Sequence, residues 1–140
     1  MATGQGNTWV LVADAHQGRV LEVEDAGLVP RVVSTVKPPI PEGQQRNPEH
    51  LWRHGDDPRA AHEEQRFAHA LVQALERGVA ANQFKHLVLV APPRMLGVLR
   101  DALPRPLADR LRSSMAKDWG HVSDLELPEH VRPLVEIWPR

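Results

Sequence analysis

The 140-residue sequence predicts one α/β domain: a mixed five-stranded sheet with helices on its faces. Three observations lead there. The runs TWVLVAD (Thr8 to Asp14) and HLVLVA (His86 to Ala91) are almost wholly apolar, as strands covered on both faces are. Between them Phe67, Leu71, Leu75 and Val79, flanked by Ala68 and Val72, recur at helical spacing. Short turns separate the segments ahead of that helix, which makes them an antiparallel meander.

Taken in order, residues 1–7 read as a flexible tail and residues 8–140 as the domain. After the first strand Gly18 punctuates, and RVLEVE (Arg19 to Glu24) alternates in part, as a half-exposed strand does. Asp25-Ala26-Gly27 is a turn signal, and LVPRVVSTV (Leu28 to Val36) is the third strand. Pro30 cannot donate to a ladder, which places this strand at a sheet edge. Residues 37–58 form a long loop. Asp57 and Pro58 then suit the N-cap and first position of a helix from Arg59 to Ala80. The crossover through this helix makes the strand at His86 to Ala91 parallel to the first. Pro92-Pro93 opens a helix carrying Leu96, Leu99 and Leu103, ended by Pro104, and Pro106 starts a short one through Arg112. SMAKDW (Ser114 to Trp119) is the fifth strand, and Pro128 starts a last helix that Pro133 should kink or interrupt. The pattern is βββαβαβα with spatial order 3-2-1-4-5, the first strand central and the last two parallel to it. Trp9, Trp119 and Trp138 read as core or core-edge residues.

Composition narrows the function. Without cysteine there are no disulfides, no thiol catalysis and no thiolate metal sites. The formal charge of -1 gives no global attraction to nucleic acid. No apolar run approaches the roughly 20 residues of a membrane span. The opening MATGQGN lacks a basic segment leading into an apolar one, so no secretory signal is expected and the location expected is the cytoplasm. No Ser-His-Asp elbow, Walker loop or dinucleotide fingerprint is present.

Three stretches carry a resemblance. WVLVADAHQGRVLEVE, FKHLVLVAPPRMLGVLRDAL and KDWGHVSDLELPEHV resemble the bacterial host attachment family, named as proteins required for attachment to host cells. The resemblance runs from about residue 8 to 135, and LVLVAPPRMLGVLR is its most specific piece. That family is in turn similar to the middle domain of archaeal and eukaryotic class-1 translation release factors, and some ribosomal proteins share the βββαβα arrangement. The resemblance implies the topology above and a link to translation. With no export signal expected, it implies an indirect role in attachment over a direct one.

Four constellations are candidates for a site. In the release factors a Gly-Gly-Gln tip lies between the third strand and the long helix. Its glycines let the backbone approach the ester joining peptide to tRNA, and its glutamine helps place a water. Gly43-Gln44-Gln45 stands at the matching place here, with Glu42 where the first glycine would be, so the match is partial. His50 and His54 lie four apart and His62 and His69 seven apart; with Glu63 or Asp56 they are zinc-ligand types, but no compact H-E-x-x-H occurs. Solvated or partner-facing histidines are the expectation. Arg46, Arg53, Arg59 and Arg66 with Trp52 suit a single-stranded RNA contact, although Glu42, Glu49, Asp56, Asp57, Glu63 and Glu64 nearly cancel their charge. Finally, Asp14, Arg94 and Lys117-Asp118 stand at the carboxyl ends of the parallel strands, where open sheets bind ligands. Arg94 at a helix N-terminus suits a phosphate or carboxylate, although Pro92 and Pro93 remove two backbone donors. Its structural reading is an ion pair with Asp14. A two-metal nuclease would need more carboxylates than Asp14 and Asp118 supply.

The expectation is therefore a non-catalytic cytoplasmic binding module, linked to translation by contact with the ribosome or tRNA through residues 37–58, or bound to a protein partner. Its binding residues are Arg46, His50, Trp52, Arg53 and His54, with Asp14, Arg94 and Lys117 at the crevice. No metal, small-molecule cofactor or membrane is expected. The alternatives are a peptidyl-tRNA hydrolase-like release or rescue factor working through Gly43, Gln44 and Gln45, and a protein needed, directly or indirectly, for attachment to host cells.

Overall fold

In a computed structural model of the chain, residues 7–24, 30–38 and 58–136 are described, with the backbone alone for 58–61, 135 and 136. Strands β1 (Thr8–Ala13), β2 (Gly18–Val23), β3 (Arg31–Val36), β4 (His86–Ala91) and β5 (Leu111–Ala116) form one sheet in the order β3-β2-β1-β4-β5. β1 is antiparallel to β2 and β2 to β3, while β4 is parallel to both β1 and β5. The helices are α1 (Pro58–Ala80), α2 (Pro93–Ala102), α3 (Arg105–Ala108) and α4 (Leu127–Glu136). This is the mixed sheet and strand order that the apolar runs predicted.

The reason β1 and β4 carry no charge in their middles is two-sided burial. Successive strand side chains point to opposite faces. On one face Trp9, Leu11, Ala13, Leu87, Leu89 and Ala91 meet Phe67, Leu71 and Leu75 of α1 and Met95 and Leu99 of α2. On the other, Val10, Val12, Val88 and Val90 join Leu21 and Val23 under Val122, Leu127 and Val131. Each such side chain contributes roughly 1.5–3 kcal/mol relative to exposure, so a polar residue on either face would be costly.

Several boundaries differ from expectation, each for a local reason. β2 is not half exposed; five of its six residues are buried, because Arg19 turns its guanidinium inward rather than to solvent. β3 does lie at the edge with mostly exposed side chains, and it begins at Arg31, just past Pro30. β5 starts at Leu111 and stops at Ala116 rather than running from 114 to 119. A register shift opposite Leu87 and Val88 breaks its period-two pattern, and that conceals the strand in the sequence. The early start of β5 in turn cuts α3 to four residues. α4 continues past Pro133 to Glu136 without interruption. The tail expected over residues 1–7 lies outside the described residues except for Asn7, whose carbonyl accepts from Lys85 and His86 N–H at 2.9 and 3.2 Å.

α1 ends in a Schellman arrangement. Asn82 takes φ 56°, its N–H donates to the Val79 carbonyl at 3.0 Å, and the Gln83 N–H donates to the Gly78 carbonyl at 2.9 Å. The chain then turns Phe84 back onto Trp9, their rings stacked 4.5 Å apart. This pair fills the space beside Gly78, where a Cβ would stand 2.6 Å from the indole and 2.9 Å from the phenyl ring. Gly97 in α2 is exposed and has nothing within 4 Å.

The two helical glycines should therefore respond oppositely to alanine. Gly97→Ala gains helix propensity and should raise stability by about 0.5–1 kcal/mol. Gly78→Ala gains the same propensity but overpacks two rigid rings, and should lower stability by about 1–2 kcal/mol net. Urea unfolding of both variants checks this.

Candidate functional site at the carboxyl edge of the sheet

The carboxyl ends of β1, β4 and β5 face one edge, as the parallel pairings require. Immediately after β1, Asp14 closes a tight turn. Its Oδ1 accepts from the His16 N–H at 2.7 Å and the Gln17 N–H at 2.9 Å, while its own N–H donates to the Gln17 carbonyl at 3.0 Å. A short acidic side chain satisfying its own downstream amides is an Asx turn. It delivers the chain into β2 at Gly18, one residue before Arg19.

Arg19 organises the rest of the edge. Its side chain is 2% exposed, and it donates to the carbonyls of Trp119 (2.8 Å), Gly120 (3.3 Å) and Val122, and to Asp124 Oδ1 (3.3 Å). The Gln17 amide adds a bond to the Gly120 carbonyl at 3.3 Å. These bonds press residues 119–124 against the strand ends so closely that a Cβ on Gly120 would overlap the Asp14 carboxylate. Ser123 then starts a capping box. Its Oγ accepts from the Glu126 N–H at 3.2 Å, and its carbonyl accepts from the Leu127 N–H at 2.8 Å, leading into α4. Trp119, half-buried against the α4 face, meets His130 edge-on at 5.4 Å.

The anticipated ion pair between Asp14 and Arg94 does not form. Arg94, on the first turn of α2, donates from Nε to Glu64 Oε1 on α1 at 2.9 Å. The cause is proximity on both sides: Asp14 is satisfied by amides of its own turn, and Glu64 is the carboxylate packed beside the start of α2. Lys117 and Asp118 are exposed at the end of β5, where the Lys117 N–H donates to the Ala91 carbonyl at 3.0 Å. The structure thus brings Asp14, Arg94 and Lys117 to one edge without joining them. His62 and His69 are exposed on α1. Among the described residues no three His, Asp or Glu are grouped to hold a metal ion.

Gly43, Gln44, Gln45, Arg46, His50, Trp52, Arg53 and His54 lie outside the described residues, as does Trp138. Their anchors are described. Val36 pairs with Gly18, and Gly18 with Ala13, so β3 ends at the edge where Asp14 stands. Glu64 reaches Arg94, so the first turns of α1 are at that edge too. The end of β3 and the first turns of α1, the described elements on either side of residues 39–57, therefore both stand at the carboxyl edge.

Sequence reasoning missed Arg19, Gln17 and Gly120. One signal was legible: Ser123-Asp124-Leu125-Glu126 is an S-x-x-E capping box ahead of an apolar run. Nothing in the local pattern marks Arg19, because its acceptors are about a hundred positions away.

Two outcomes follow from this geometry. Gly120→Ala should cost about 2–3 kcal/mol, and much of that should vanish in an Asp14→Ala background, giving a coupling of at least about 1 kcal/mol in a double-mutant cycle. Arg19→Met removes a donor from three carbonyls, of which Gly120 keeps the Gln17 amide and Trp119 keeps the Val122 N–H, and should lower stability by about 2–4 kcal/mol. Hydrogen exchange should rise over residues 119–126 more than over β1 and β4.

Comparison with known proteins adds the following. An archaeal translation termination factor is similar in structure over 93% of this chain and 39% of that one, with 10% sequence identity and a TM-score of 0.48. A second archaeal protein is similar over 93% and 38%, at 9% identity and a TM-score of 0.49. Dom34 of S. cerevisiae, a translation termination-like factor involved in RNA quality control, is similar over 82% and 30%, at 9% identity and a TM-score of 0.45. The chain spans less than half the length of each. No curated protein matches it in sequence. The model of the family described as "Protein required for attachment to host cells" matches residues 9–131, and the chain belongs to that family.

Proposed function

We propose that this chain is a non-catalytic binding module. Its contact surface is residues 37–58 together with the carboxyl edge of the sheet. The observation that carries the reading is the anchoring of that segment: it leaves β3 and enters α1 at the edge that holds Arg94 and Lys117. Three of the charged groups nearest the strand ends already have intramolecular tasks. Asp14 holds its turn, Arg19 holds residues 119–124, and Arg94 is bound to Glu64. Such groups shape a surface rather than wait for a reacting atom. The segment itself supplies contact chemistry, with Arg46 and Arg53 for phosphates and Trp52 for a base or apolar partner.

The partner in this reading is RNA of the translation apparatus, ribosomal or transfer, met in the cytoplasm. The part its family plays in host attachment is then indirect. Gly43, Gln44 and Gln45 form part of the contact and do not hydrolyse peptidyl-tRNA.

Sedimentation of lysate from cells expressing the tagged chain tests this. Comigration with ribosomal particles at low salt should fade as salt rises, because phosphate contacts release counterions. Arg46→Ala/Arg53→Ala should weaken comigration by about tenfold or more, while Gln44→Ala should leave it intact. A chain that stays at the top of the gradient at every salt concentration sinks the reading. Peptidyl-tRNA hydrolysis abolished by Gln44→Ala would replace it with the enzymatic one.

A further inference from the structure

Charge is not spread evenly along this chain. Residues 85–117 carry seven Lys or Arg against two Asp, whereas the whole sequence has 17 basic and 18 acidic side chains. In the fold this stretch is β4, α2, α3 and β5, at the end of the sheet where, among the described residues, β5 has a strand on one side only. Lys85 stands just ahead of β4, and the Leu87 N–H donates to the Arg110 carbonyl at 2.8 Å, so Lys85, Arg110 and Arg112 share one end of the β4–β5 pair. Arg105 opens α3 beside them, its carbonyl accepting from the Asp109 N–H at 2.9 Å. Arg100 reaches from α2 to Ser114 Oγ at 3.5 Å, midway along β5. Lys117 follows the last residue of the strand. From Arg110 to Lys117 the edge runs about 23 Å at about 3.3 Å per residue.

Among the described residues, Lys85, Arg100, Arg105, Arg110 and Lys117 form no ion pair, and Arg112 meets the His86 imidazole at 3.2 Å. Arg94 is committed to Glu64 and stands apart from the row. Charge on an edge strand also prevents unwanted strand pairing, and one or two cations suffice for that. The Arg100 guanidinium reaching this edge from α2, with Arg105 opening α3 beside it, exceeds the need. In a chain of net charge -1 they make a local positive field suited to a polyanion.

The chemistry of the face selects among polyanions. A lipid surface needs apolar side chains to insert, and the exposed large apolar residues among those described, Val33 and Leu125, are both outside 85–117. Single strands are held by stacking bases on aromatic rings, and residues 85–117 contain no Phe, Tyr or Trp, while the His86 imidazole is engaged with Arg112. What the face does present is Arg, Lys and the hydroxyls of Ser113 and Ser114, the groups that contact phosphate and sugar. We infer that the open edge of β5, flanked by α2 and α3, binds the phosphate backbone of double-helical nucleic acid without reading its sequence. This surface shares only Lys117 with the contact proposed above and does not depend on it.

Titration of the full chain with a short duplex RNA is the test. With about five phosphates neutralised, affinity should fall roughly 500-fold between about 50 and about 200 mM salt. In Arg100→Gln/Arg105→Gln about three contacts remain, and the fall should shrink to roughly 40-fold, with weaker binding at low salt. Arg100→Lys/Arg105→Lys keeps the charge and should bind as the parent does, which separates loss of charge from loss of fold. The inference is overturned by any of three results: no duplex binding at low salt, an unchanged salt slope in the Gln variant, or equal affinity for single-stranded RNA, polyglutamate or anionic vesicles. Duplex binding lost on Arg46→Ala/Arg53→Ala but not on the Gln variant would overturn it while leaving the reading for residues 37–58 intact.

Discussion

A guanidinium buried to 2% exposure has to find its acceptors inside the protein, and much of the carboxyl edge is arranged around that requirement at Arg19. Its five N–H groups point in fixed directions from the start of β2, and the acceptors come from one distant segment, residues 119–124. The segment must therefore cross over the end of β1. That crossing leaves no space for a side chain at position 120, and it sets Val122 and Leu127 into the layer that α4 closes. The arrangement has a cost, since the Arg19 Nε has no partner among the described residues. Three carbonyls and a carboxylate on the remaining nitrogens offset it.

The same edge shows how the fold separates structure from contact. Asp14 and Arg94 look like a functional pair when only strand ends are compared. In three dimensions each is drawn to the nearest competent partner, backbone amides in one case and Glu64 in the other. The consequence is a rigid rim of fixed charges around the place where residues 39–57 depart and return.

Charge is segregated on a larger scale as well. The β4-to-β5 side of the sheet is basic, while the stretch from Asp118 through α4 carries Asp118, Asp124, Glu126, Glu129 and Glu136 against Arg132. A near-neutral total conceals this dipolar layout. Long-range steering depends on the local field rather than on the sum, so the overall charge of -1 says little about partners.

The strongly periodic parts of this protein can be read from the residue pattern alone. β1, β4 and α1 were legible because two-sided burial demands unbroken apolar runs and one-sided burial demands a helical stripe. The order β3-β2-β1-β4-β5 followed from short turns and one helical crossover. Which polar residues turn inward is set by long-range packing. Arg19 in a partly alternating strand reads as solvent-facing until carbonyls a hundred residues away are brought beside it. Likewise β5 was hidden by its register shift, and the partner of Arg94 by the packing of α1 on α2. Periodicity records whether a side chain meets water; it carries no information about hydrogen-bond partners that folding alone makes neighbours.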